Sequence, residues 1–212
     1  MGRSRNADLF VWADRITTFI LANMMWVLLA LPVITLPLAT AGLFAALAPW
    51  GRGKSSEVFR DFFGGIREHW RQAMLIGLID VLLGGLIALD FTIFRLMDMS
   101  QAIALLSQSI NFFAALVLLL VNVYVWPLLV TFDLPFRNLL ETSVKLVFAH
   151  PLASIGMLLG TIAILFVSTL LPAMFLLLAS VSACALFISW GTWRIVRGHI
   201  AEDERARLES QN

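Results

Sequence analysis

The sequence is poor in charged side chains and in the residue types that build catalytic and metal sites. Only 14% of its 212 residues are charged, against about 25% in a typical soluble domain. It contains one cysteine, Cys184, and three histidines. A single cysteine excludes an intrachain disulfide. The net charge of +1 argues against a nucleic-acid partner.

Long apolar runs take the place of the missing charge. Hydrophobic residues make up 60% of the chain, and the mean hydropathy is +0.88. A run of about 20 apolar residues is long enough to cross the hydrocarbon core of a bilayer as a helix. We therefore predict an all-α, polytopic membrane helix bundle that forms a single integral-membrane domain over residues 1–212. After a first apolar segment at 16–48, we expect four spans, at about 73–94, 110–130, 151–171 and 173–193.

The first segment, 16–48, carries no charge but contains Pro32 and Pro37. Proline removes a helix hydrogen bond and clashes with the preceding turn, so a helix kinks or ends there. The segment can turn back, as two full spans or as one span plus a re-entrant arm, or it can kink and cross once. Turning back agrees better with the charge pattern, because basic residues lie on both sides of this segment.

The orientation follows from lysine and arginine, which are retained on the cytoplasmic side of a membrane. In the arrangement that turns back, 14 of these residues lie on one side and only Arg95 lies on the other. Both termini are therefore predicted to be cytoplasmic.

The segment 55–71 is predicted to be a separate amphipathic helix on the cytoplasmic membrane surface. Its aromatic and apolar residues recur at helical spacing, whereas most of its charged residues fall elsewhere. It is interpreted as a connector that lies on the lipid, or alternatively as a docking surface for a partner. The apolar positions are Phe59, Phe62, Phe63, Ile66 and Trp70.

Four polar residues in the apolar segments form a candidate intramembrane cluster: Asn23, Thr35, Asp80 and Asn122. No lysine or arginine lies in the spans to pair with the Asp80 carboxylate, which is costly to bury alone. The cluster is interpreted either as hydrogen-bonding glue between helices or as a site that handles protons or solutes.

Gly156 and Gly160 form a GxxxG pattern, which lets two helices approach closely. The pattern predicts packing between the last two spans or, alternatively, a homo-oligomer. No pattern indicates catalysis, a cofactor or a metal site. Gly53-Lys54-Ser55 resembles the end of a phosphate-binding loop, but Ala48 stands where that loop requires glycine.

Three stretches of the sequence carry a resemblance to a known family. The first contains Asn23, Trp26, Leu31-Pro32-Val33, Thr35, Pro37 and Ala39-Thr40; the second runs over residues 59–78; the third contains Trp126-Pro127-Leu128, Phe132-Asp133-Leu134 and Asn138-Leu139-Leu140. Together they resemble the YesL-like family of bacterial membrane proteins, a domain of unknown function.

The resemblance implies a small protein of the bacterial inner membrane, whose gene often lies beside genes for sugar-uptake transporters and glycan-degrading enzymes. We therefore expect a non-catalytic accessory protein for carbohydrate uptake, with the lipid bilayer and sugar-transporter subunits as partners. The alternative is a small independent transporter or channel with a polar site near the proline break.

Overall fold

The structure is a computed structural model that describes residues 2–51, 57–96, 101–171 and 173–209, with side chains at 15–50, 57–93, 102–171 and 179–198. Helices make up nearly all of these residues, and no strand occurs among them. Within the described ranges, five helices are long and apolar enough to cross a membrane. The predicted all-α, multi-pass membrane bundle is confirmed. The α-helices are α1 (Gly2–Ala30), α2 (Leu36–Gly51), α3 (Val58–Leu96), α4 (Gln101–Thr131), α5 (Phe136–Ala149), α6 (Pro151–Leu170) and α7 (Ala173–Glu209).

The proline break is a turn between two helices that pack side by side. The Trp26 indole N–H donates a hydrogen bond to the Thr40 hydroxyl, at 3.2 Å. In one continuous helix these residues would lie about 21 Å apart. The Thr35 hydroxyl bonds to the carbonyl oxygens of Leu29 and Pro32, which closes the turn. The chain therefore turns back between α1 and α2, and a single kinked helix is excluded.

Helix α2 has the largest share of buried residues among the described helices. It packs against α1, α3, α4 and α7. It is short, and its enclosed face consists largely of small residues. Small residues let helix backbones approach closely, which is a main source of helix association within a bilayer. The small buried side chains of α2 are Ala39, Ala41, Gly42, Ala46 and Ala48.

The prediction of a separate amphipathic helix over 55–71 is wrong for the residues that are described. The segment 58–71 is the first part of α3, which runs unbroken for 39 residues to Leu96, about 58 Å at 1.5 Å per residue. The physical reason is α2, which packs along this half of α3. Phe62 is buried there, and a Cβ on Gly65 would overlap Ala45. The glycine thus permits helix packing and causes no break.

The aromatic face predicted for that segment is divided by the same packing. Phe62 is 1% exposed, whereas Phe59, Phe63 and Trp70 are half exposed or nearly so. Phe62 therefore packs inside the bundle, whereas Phe59, Phe63 and Trp70 lie on its outer surface.

A separate amphipathic helix does exist, but it is α5, which lies between the predicted spans 110–130 and 151–171. Its buried residues recur at i, i+4, i+7 and i+8, which is helical spacing. On its exposed side, the Lys145 ammonium lies 2.7 Å from the Glu141 carboxylate and lowers the pKa of that carboxylate. The buried residues are Leu139, Ser143, Leu146 and Val147.

The helices α6 and α7 pack on each other, and this contact uses one glycine of the GxxxG pattern. A Cβ on Gly160 would overlap the Phe187 ring, whereas Gly156 has open space around it. Gly160 therefore serves packing within the chain. A homo-oligomer through this face stays a prediction, and only Gly156 is free for it. Two helices are also longer than the spans predicted for them: α4 begins at Gln101 and α7 continues to Glu209.

The second half of α3 and the first half of α4 form a hairpin that little else covers. The first turn of α2 meets α3 at Gly77, where a Cβ would overlap the Pro37 ring. Beyond Gly77 no described side chain of α3 is buried, and none of α4 is buried before Leu120. We call residues 78–93 with residues 102–119 the exposed hairpin. We call the rest of the bundle, which contains the buried residues, the packed core.

Candidate functional site

Three polar side chains form a hydrogen-bond chain at the base of the exposed hairpin. The Trp126 indole N–H donates to the Asn122 amide oxygen, at 3.0 Å. The Asn122 amide nitrogen in turn donates to the Asp80 carboxylate, at 2.8 Å. Trp126 is buried, and Asp80 and Asn122 are half-buried. The chain joins α3 to α4 and ends in a carboxylate.

The chemistry of the partners fixes the orientation of the Asn122 amide. Its nitrogen also donates to the Leu118 carbonyl oxygen, at 3.1 Å. A carboxylate and a carbonyl can only accept, and an indole N–H can only donate. The Asn122 amide nitrogen therefore faces only acceptors, and its amide oxygen faces a donor. The second carboxylate oxygen of Asp80 receives no hydrogen bond from the described residues, so it is free to accept one from a ligand.

The Asp80–Asn122 pair lies in a groove of about 440 Å³ between α3, α4 and α5. Apart from this pair, the side chains that line the groove are apolar. The lining from α5 is Leu140 and Val144, so this helix closes one side. The groove thus combines one hydrogen-bonding position with apolar walls, a composition typical of small-molecule sites. The other lining residues are Ile76, Ile79, Leu83, Phe113, Ala114, Val117, Leu118, Val121 and Val125.

The structure brings together two of the four residues of the predicted cluster. Asn23 lies elsewhere, fully buried against α7, where its amide oxygen accepts a hydrogen bond from the Ser182 backbone N–H, at 2.9 Å. Thr35 closes the turn of the hairpin between α1 and α2. Within the described residues, no hydrogen bond joins either of them to Asp80.

The proline break nevertheless lies near the site. Pro37 packs on Gly77, one turn of α3 before Asp80, whereas Pro32 precedes the short 3₁₀ helix Val33–Thr35. The side chains at the tip of this turn are strongly exposed, including Leu31 at 72% and Val33 at 78%. The turn therefore presents apolar side chains to its surroundings and places its second proline beside the helix that carries Asp80.

Sequence reasoning missed one member of the site and one related pair. Trp126 was considered only as part of the family resemblance, although it follows Asn122 at i+4 spacing, which places both on one helix face. A second carboxylate, Asp90, accepts a hydrogen bond from Asn111 and lies 3.5 Å from the Ser107 hydroxyl. Each half of the hairpin thus contains one aspartate–asparagine contact between α3 and α4.

The arrangement can accept hydrogen bonds or balance a cation. In the described part of the chain, no group of three or more histidine, cysteine, aspartate or glutamate side chains is placed to hold a metal ion. Cys184 is buried, and its sulfur faces the Thr161 carbonyl oxygen.

Comparison with known proteins finds one matching family model and two similar relatives. The model of a family described as a protein of unknown function, DUF624, matches residues 19–91. The chain is 28% identical over 189 residues to the uncharacterized protein YesL of Bacillus subtilis (strain 168), covering 87% of this chain and 88% of YesL. The predicted resemblance to the YesL-like family is confirmed.

A second YesL-like relative gives the same result. The uncharacterized protein YteU of Bacillus subtilis (strain 168) is 28% identical over 200 residues, covering 92% of this chain and 89% of YteU. No solved structure matches the chain. The stretch that the YesL-like family model matches contains α2, the turn before it and Asp80, and it ends before α4 begins.

Proposed function

We propose that the chain is a non-catalytic accessory membrane protein that serves carbohydrate uptake through contacts with other membrane proteins. The exposed hairpin carries this proposal. Its outward residues are large and apolar on both helices, as with Val81 and Phe112, each 72% exposed. Its polar side chains Asp80 and Asp90 instead bond to asparagines of α4. Two helices held together in this way leave long flanks on which helices of a partner can pack.

The carbohydrate part of the proposal depends on the resemblance to the YesL-like family. That resemblance implies a gene context of sugar-uptake transporters, and the relatives named above carry no stated activity. Transporter subunits are therefore the partners that we expect on the exposed hairpin.

Crosslinking in native membranes tests this proposal. A photoreactive p-benzoylphenylalanine is placed at Leu86 or Leu106 in the exposed hairpin, which are 61% and 64% exposed, and as a control at Phe166 of α6, which is 64% exposed. We expect sugar-transporter subunits to be crosslinked from the two hairpin positions and not from Phe166, as measured by quantitative mass spectrometry. Equal or no enrichment at the three positions contradicts the proposal.

We also propose that the protein lies in the bacterial inner membrane with both termini in the cytoplasm, and that α1 and α2 enter and leave on that side. The distribution of lysine and arginine supports this orientation. In a Cys184→Ala background, Ser4→Cys and Ser55→Cys should resist an impermeant thiol reagent added to intact cells, whereas Gln101→Cys should react. Labelling of Ser4→Cys from outside with Ser55→Cys protected would mean that the segment between them crosses once.

The groove favours a second candidate function, a small independent transporter or channel. A carboxylate with one unbonded oxygen in a groove of about 440 Å³ can accept a hydrogen bond from a solute. Uptake of a labelled sugar into liposomes that contain the purified protein tests it. Uptake above that of empty vesicles, reduced in Asp80→Asn, would support transport. Uptake equal to that of empty vesicles, or unchanged in Asp80→Asn, would remove this candidate.

A further inference from the structure

A second groove, separate from the Asp80 site, lies between α1, α2 and α7. Its volume is about 500 Å³. Four of its residues are aromatic, two are small or aliphatic, and one is an arginine. We call it the aromatic groove. The lining residues are Arg15, Phe19, Trp50, Ala183, Leu186, Phe187 and Trp190.

The groove has one cation in its lining, a second cation against one of its tryptophans, and an otherwise apolar surface. Arg15 is part of the lining, and the Arg194 guanidinium stacks over the Trp190 ring, 4.9 Å from its centroid. No carboxylate belongs to the lining. Neither arginine forms an ion pair with any side chain that the structure describes. An anionic ligand would therefore complement the charge of this part of the groove.

We propose that the aromatic groove binds an anionic phospholipid, with the phosphate at Arg15 and Arg194 and an acyl chain along Phe19, Leu186 and Phe187. Charge and polarity favour this occupant over other small ligands. The bundle belongs in a membrane, where arginine and tryptophan at span ends meet the headgroups. Arginine matches phosphate geometry through paired hydrogen bonds. A neutral sugar would use the aromatic rings but would leave both cations without a partner.

Native mass spectrometry of the purified full-length protein tests the proposal, with phosphatidylglycerol and phosphatidylcholine of identical acyl chains as the probes. We expect phosphatidylglycerol to bind more tightly than phosphatidylcholine. Arg15→Gln should weaken phosphatidylglycerol binding by about tenfold, since it removes one charge-assisted contact. The matched control Arg137→Gln, at an exposed arginine of α5, should leave binding unchanged. Ala183→Trp fills the groove and should weaken binding while both cations remain.

Several results would overturn the proposal. Equal binding of the two lipids would show only general contact with the bilayer. Equal behaviour of Arg15→Gln and Arg137→Gln would place the lipid elsewhere. Displacement of the lipid by glycerol phosphate at the same concentration would indicate a site for free phosphates, and displacement by glucose a sugar site. Thermal unfolding of each variant in detergent checks its fold. If Ala183→Trp does not fold, the proposal is tested by comparing Arg15→Gln with Arg137→Gln and by the competition with glycerol phosphate and glucose.

Discussion

The packed core and the exposed hairpin are held together by different interactions. In the packed core, α2 lies among four helices, and glycine positions of α3 accommodate the side chains of α2 at Ala45 and Pro37. In the exposed hairpin, no described residue is buried. There, α3 and α4 are joined by hydrogen bonds from asparagine to aspartate. Close packing is therefore the main contact between helices in the core, and hydrogen bonds between side chains are the main contact in the hairpin.

This difference has a physical reason. Lipid chains are as apolar as leucine, so helices in a bilayer gain little from the hydrophobic effect when they associate. They must pack closely or form hydrogen bonds between side chains. Helix α2 has the small residues that close packing requires, whereas residues 78–93 are mostly large. Where close packing is absent, the aspartate–asparagine contacts replace it.

The largest effect is expected where shape is changed in the core. Gly77→Leu introduces a side chain into the space of the Pro37 ring. Overpacking of this kind costs about 1–3 kcal/mol and occasionally more. The helix itself gains stability from the same change, because leucine has a higher helix propensity than glycine. We expect a clear fall in the apparent Tm in detergent, as measured by the loss of the monodisperse size-exclusion peak after heating.

The matched control is Gly85→Leu, the same change in the same helix but in the exposed hairpin. Apart from the neighbouring backbone of its own helix, no described atom lies within 4 Å of the position that its Cβ would occupy. We expect an unchanged or slightly raised Tm. If both leucine variants lose stability equally, the division between packed core and exposed hairpin is wrong.

The second effect tests the hydrogen bonds at the base of the hairpin. Asn122→Leu removes the donor to Asp80 and the acceptor for the buried Trp126 N–H. Leaving a buried donor without a partner costs about 1–3 kcal/mol. Asn111→Leu removes only the contact to Asp90, for which the usual value in membranes is about 0.6 kcal/mol. We therefore expect the Tm of Asn122→Leu to be lower than that of Asn111→Leu, and both to be lower than that of the native chain.

The opposite ranking would show that the Asp90 contact is the main connection in the hairpin. An unchanged Tm in both variants would mean that α3 and α4 are held together without their polar side chains. That outcome would also weaken the Asp80 groove as a preformed site.

The fold class could be predicted because span length depends only on the thickness of the bilayer. In contrast, the sequence did not predict that α3 is one continuous helix. Gly64-Gly65 weakens a helix when only neighbouring residues are considered, but the space left by Gly65 is where Ala45 of α2 packs. The contact joins two helices, so its contribution cannot be seen within one. Helix α5 was missed for a different reason. Its charged residues make the stretch too polar for a span, and no helix was predicted there although its apolar residues have helical spacing.

The site was partly predictable for a similar reason. Asp80 and Asn122 are conspicuous because polar residues are rare in apolar spans. Such residues usually pair with one another through hydrogen bonds. Asn23 looked equivalent in the sequence. Its partner, however, is the backbone N–H of Ser182, and a backbone group leaves no sign in the sequence. Composition thus identifies polar residues that need a partner, but the packing of helices decides which partner they find.

The smallest effect separates shape from hydrogen bonding inside the packed core. Ser154 and Ser182 are both fully buried. The Ser154 hydroxyl contacts the Tyr124 hydroxyl and the His150 carbonyl oxygen, each at 2.8 Å. The Ser182 hydroxyl has no hydrogen-bond partner among the described residues. Ser154→Ala should cost about 1 kcal/mol, whereas Ser182→Ala should leave the Tm unchanged or raise it, since it removes a buried polar group without a partner. Ser182→Ala keeps the backbone N–H that donates a hydrogen bond to Asn23. A fall in Tm equal to that of Ser154→Ala would therefore mean that the Ser182 hydroxyl itself contributes a hydrogen bond.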